Sequence, residues 1–82
     1  MRLVTVEWID SLSGNSWVQT KEVTGEPLPV IYSVGWEVER RKDSITLISS
    51  ICKDNNMVGQ VIQIPMGCVQ KITHVSGRNS RL

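Results

Sequence analysis

The 82-residue chain contains no phenylalanine, a single tyrosine and a single histidine. Large aromatic packing therefore falls to three tryptophans, and any chemistry that needs an imidazole base rests on His74 alone. No Gly-x-Ser-x-Gly elbow is present, so His74 has no nucleophile in a recognisable setting. The two cysteines, Cys52 and Cys68, together with His74 fall one ligand short of a closed zinc site. No glycine-rich loop precedes a helical pattern, which removes the usual phosphate cradle. Neither catalysis, a metal nor a cofactor is expected. An excess of charge is missing too: nine basic and eight acidic side chains leave +1. That argues against a protein that coats polyanions and against an acidic mimic of DNA. No apolar run approaches the roughly 20 residues of a spanning helix, so a soluble protein is expected.

What is present is a period of two. At 40% apolar and 21% charged residues, the composition is that of a folded domain, and the length allows only one. Val4, Val6 and Trp8 alternate with Thr5, Glu7 and Ile9. Extended stretches follow at 17–23, 30–39, 45–51, 58–64 and 69–75, dominated by β-branched residues. Between them lies turn chemistry. Asp10–Ser16 is a polar loop, and Thr24–Pro29 carries two prolines that exclude helix or central strand. Arg40–Ser44 and Lys53–Asn56 close hairpins, and Pro65–Cys68 has the length of one 3₁₀ turn. The spacing predicts an all-β fold, a small barrel of five or six strands over 1–75, followed by a flexible basic tail at 76–82. Gly35 and Gly59 are candidate bends for closing that barrel. Open strand edges at Val58–Ile64 and Val69–Val75 predict a homo-oligomer.

The opening Met1-Arg2-Leu3-Val4-Thr5-Val6 is interrupted by Thr5 and Glu7, unlike the apolar core of a secretory signal. A cytoplasmic location and two reduced thiols are the expectation.

Two resemblances attach to these residues. From Gly35 to Ile72, a bent strand, a charged turn ending at Asp43, Ile45-Thr46-Leu47 and the closing Ile64-Pro65-Met66-Gly67-Cys68-Val69 resemble an Sm-like or SH3-like barrel. Pro65 and Met66 stand where the Sm signature has a basic residue before its glycine, so RNA-contact roles do not carry over. Trp8-Ile9-Asp10, Ser33-Val34-Gly35-Trp36 and Ile64-Pro65-Met66-Gly67 are similar to short bacteriophage and prophage accessory proteins. That resemblance implies a phage origin and an accessory role in the host cytoplasm, against host machinery or host immunity.

The candidate binding residues are Trp17, Arg40, Arg41 and Arg78. Trp8 and Trp36 are expected to fill the core, whereas Trp17 directly follows a polar loop and is the best placed for exposure. An exposed indole stacks a base or anchors a protein, and an arginine forks onto phosphate. Ser76-Gly77-Arg78 offers a small backbone nest, and Arg40-Arg41-Lys42 clusters charge on a hairpin tip. Glu37 and Glu39 alternate onto one face about 7 Å apart, and with arginines beside them they read as a solvated face, not an acid–base pair. Residues 1–41 hold four basic and six acidic groups, and 42–82 hold five and two, a mild asymmetry that suits subunit contact or an anion. These residues predict non-enzymatic binding, and the bacteriophage resemblance implies that it serves counter-defence. It would sequester a nucleotide-derived immune signal at a subunit interface or inhibit a host defence protein directly. The alternative is an Sm-like RNA-binding ring.

Overall fold

The computed structural model describes residues 1–11, 17–23, 25 and 27–77. The chain is all-β. Strands run β1 (Arg2–Ile9), β2 (Val30–Arg40), β3 (Ser44–Ile48), β4 (Ser50–Cys52), β5 (Met57–Gly59), β6 (Ile62–Pro65) and β7 (Val69–His74). Five of them form one antiparallel sheet in the order β6-β3-β2-β1-β7, and β4 and β5 form a separate hairpin. No helix among the described residues is long and apolar enough to cross a membrane.

Alternation builds the core directly. Val4 and Val6 on β1, Ile45 and Leu47 on β3 and Ile64 on β6 point to one face and are fully buried or nearly so. Each contributes about 1.5–3 kcal/mol by leaving water. Trp8, Met66, Val69 and Ile72 pack against this cluster from its margins. The innermost residues are all aliphatic, as a chain without phenylalanine dictates.

The expected closed barrel is not formed. Four interstrand steps of about 4.8 Å would hold the edges of a flat five-stranded sheet about 19 Å apart. Only Met66–Cys68, one 3₁₀ turn, joins edge strand β6 to edge strand β7, and such a turn advances about 2 Å per residue. The sheet must therefore curl. It bends through an extra residue between Glu37 and Glu39 on β2 and through an extra residue on β7, Gln70, opposite Glu7 and Trp8 of β1. Yet β6 and β7 share no ladder. β6 is four residues long and ends in Pro65, which has no N–H to donate. The Met66 N–H instead bonds the Asp43 carbonyl at 2.8 Å, which ties the 3₁₀ turn to the β2–β3 turn.

Three more expectations change. The stretch 17–23 is not a strand: residues Thr20–Glu22 form a 3₁₀ turn, and every residue from Trp17 to Val23 is exposed. It has no neighbouring strand among the described residues, and local bonds form instead: Glu22 N–H to the Gln19 carbonyl at 2.8 Å and Gln19 N–H to the Glu22 carboxylate at 3.4 Å. The stretches 45–51 and 58–64 each divide in two. The chain leaves the main sheet at Ser49 and returns at Gln60, where φ is +56°. The Ser49 hydroxyl donates to the Gln60 side-chain carbonyl, joining the two crossing points. The hairpin turn Lys53–Asn56 forms as expected, closed by the Asn56 N–H on the Cys52 carbonyl at 2.9 Å, with Asn56 left-handed at φ +60°. Cys52 is exposed, Cys68 half-buried, and both are free thiols.

Of the two glycines expected to bend strands, Gly35 stands where β2 and β3 approach too closely for a side chain, and the irregularity of β2 falls further on, between Glu37 and Glu39. A Cβ at Gly35 would lie 2.7 Å from the Ile48 carbonyl oxygen and 3.2 Å from the Leu47 Cβ. At Gly59 the nearest atom is the Ser50 Cβ at 3.9 Å, so that glycine merely ends β5. Gly35→Ala should therefore force β2 and β3 apart and cost about 1–3 kcal/mol. Thermal unfolding of this variant should shift down by about 4–8 °C per kcal/mol, while Gly59→Ala should melt close to the wild type.

Candidate functional site

Strand β3 is covered on both faces. Ile45 and Leu47 point into the core, and alternation turns Ile48 to the opposite face, beside its register partner Trp36. The β4–β5 hairpin lies over that opposite face. Between hairpin and sheet opens a cleft of about 650 Å³ lined by Met1, Trp36, Ser49, Ser50, Ile51, Lys53 and Asn56. That volume lies within the range of small-ligand pockets.

The lining has a definite chemical character. Trp36 and Ile51 supply the apolar walls, and Ser50, Lys53 and Asn56 supply donors. Among the described residues the Lys53 ammonium has no ion pair, and the Asn56 amide and Ser50 hydroxyl have no partner. Among the described residues no carboxylate lines the cleft, and the buried Trp36 indole Nε1 finds no acceptor among them. A buried donor left unpaired costs about 1–3 kcal/mol, and it sits where the hairpin meets the sheet. Trp36 thus lies on the face opposite the core it was expected to fill, whereas Trp8 packs against that core and its Nε1 donates to the Ser33 hydroxyl at 3.0 Å.

Three of the four binding residues singled out from the sequence, Trp17, Arg40 and Arg41, lie elsewhere. Trp17 is 102% exposed, so its ring stands wholly in solvent in the β1–β2 connection. Arg40 and Arg41 sit at the far end of the 11-residue β2 from that connection, a strand length of about 35 Å if straight. Both are engaged: Arg40 forks onto Glu37 at 2.6 and 3.2 Å, and Arg41 bonds Glu39 at 2.5 Å. The Glu39 hydrogen bond and charge raise the Arg41 pKa further above its already high value. Glu37 and Glu39 do not act together, because the β2 irregularity falls between them and each is held by a different arginine. His74 is exposed, with its Nδ1 3.3 Å from the Arg2 guanidinium. Arg78, the rest of the basic tail at 78–82 and the Leu12–Ser16 part of the polar loop lie outside the described residues.

Trp36 and Lys53 are the cleft residues that sequence reasoning passed over. Trp36 reads as core by alternation, and Lys53 as an ordinary turn charge. Only the fold of the hairpin over the sheet brings them together. No family model, curated protein or solved structure matches the chain.

The contrast between the two tryptophans is measurable. Trp8→Phe and Trp36→Phe delete the same atoms, but only the first breaks a hydrogen bond. Chemical denaturation should find Trp36→Phe the milder substitution by about 1–2 kcal/mol. Equal losses would mean that the Trp36 N–H has an acceptor.

Proposed function

We infer that the chain is a non-enzymatic binding module that takes an anionic, acceptor-rich small molecule into the cleft between the β4–β5 hairpin and the sheet. The observation that carries this reading is the lining itself: apolar walls and, among the described residues, a lysine without an ion pair, hydroxyl and amide groups without a partner, and no carboxylate. A nucleotide suits such a lining. Its phosphate meets Lys53, and its base lies against Trp36 and Ile51. The buried Trp36 N–H gains an acceptor if the hairpin shifts outward, and a two-stranded hairpin is the least constrained element of such a fold. In the biological version suggested by the bacteriophage-like segments, the ligand is a nucleotide-derived immune signal and the protein sequesters it in the host cytoplasm.

Calorimetric titration with a panel of cyclic and linear nucleotides tests this. At least one nucleotide should bind the wild type and be recovered with unchanged mass. Lys53→Ala should weaken it by about tenfold or more, the loss of one charge-assisted contact, and Arg40→Ala should leave it nearly unchanged. Sensitivity to Trp17→Ala or Arg40→Ala with Lys53→Ala intact would return the site to the residues expected from sequence. If no nucleotide binds, the small-ligand version fails and a host protein becomes the better target. Retention of single-stranded RNA with steep salt dependence would favour the Sm-like reading instead.

A further inference from the structure

Strand β2 has two halves with different neighbours. β1 pairs with it from Val30 to Glu37, but β3 meets it only between Trp36 and Arg40. On the β3 side, residues 30–34 have no partner strand among the described residues. Their backbone N–H and C=O groups on that side form an open edge, the standard template for pairing with another chain. Val30, Tyr32 and Val34 share one face there and are 47%, 75% and 61% exposed. We propose that Val30–Val34 is a self-association edge that pairs antiparallel with the same segment of a second copy.

The choice of occupant follows from charge and symmetry. A two-fold axis through an antiparallel pair sets a strand against itself, so any charge near its centre meets its own copy. The Val30–Val34 segment carries no charge and no proline. The two outer edges of the same sheet are less suited. β7 carries Lys71 near its centre, and β6 is only four residues long and ends in Pro65. An axis at Tyr32 places the two tyrosines across from each other and each Val30 across from the partner's Val34. Aromatic and β-branched cross-strand pairs of this kind stabilise an antiparallel ladder. The Tyr32 hydroxyl, 3.5 Å from the Glu7 carboxylate, lies on the same outer face.

Sedimentation over a concentration series decides the proposal. The wild type should reach twice the monomer mass, Tyr32→Lys and Val34→Lys should remain monomeric, and Lys71→Glu on β7 should dimerise like the wild type. As a check independent of the lysine variants, Tyr32→Cys in a Cys52→Ser, Cys68→Ser background should cross-link to a covalent dimer under mild oxidation, since directly opposed positions lie close to disulfide reach. A wild type that stays monomeric throughout, a dimer that survives in folded Tyr32→Lys, or failure of Tyr32→Cys to cross-link would overturn it. None of these readouts depends on whether a nucleotide binds the cleft.

Discussion

At Gly35 the backbone of β2 passes so close to that of β3 that no side chain fits between them. That approach is the constraint from which the rest of the molecule follows. It seats Leu47 on the core face, opposite Val4 and Val6, and it presents Ile48 and Trp36 together on the other face. Strand β3 becomes the one strand whose residues are almost all buried, including Ser44 at 8% exposure. Ser44 remains satisfied because its hydroxyl accepts from the Gln63 amide at 3.1 Å across the β3–β6 ladder. A side chain at position 35 would push the two strands apart and disturb both layers at once.

Much of the fold was legible because period-two alternation is a local property. β1, β2 and β7 fall almost where the alternation of Val4, Val6 and Trp8, of Val30 to Glu39 and of Val69 to Val75 predicts them. The turn at Arg41–Asp43, the hairpin at Lys53–Asn56 and the 3₁₀ turn at Met66–Cys68 also announce themselves through charge, asparagine and proline. What failed was everything that depends on a neighbour. The residues from Trp17 to Val23 have β-rich chemistry but no strand to pair with, so local hydrogen bonds win. The crossings at Ser49 and Gln60 carry no glycine or proline, so two apolar runs read as continuous strands although each serves two sheets.

Barrel closure failed for a related reason. Alternation says which side of a strand is buried, but not whether the last edge meets the first. Closure requires two edge strands long enough to share a ladder at a consistent stagger. The short β6 and its terminal proline deny that, even though the linking turn already draws the edges together.

The site was less legible than the fold, because exposure and availability are different properties. Arg40 and Arg41 looked available as a charge cluster on a turn, yet Glu37 and Glu39 occupy them, and residues two and three positions apart at a strand end are placed to do so. Lys53 carries a less conspicuous charge but has no ion pair among the described residues, and it lines a cleft that exists only because the chain leaves the main sheet after Ile48. The same departure leaves the first half of β2 without a neighbour on its β3 side. A β3 that continued as one long strand would have covered Val30–Val34 and placed no hairpin over Trp36. The open edge and the cleft are thus two results of a single event, the exit of the chain at Ser49. A protein with so small a core gains both surfaces without adding an element to its sheet.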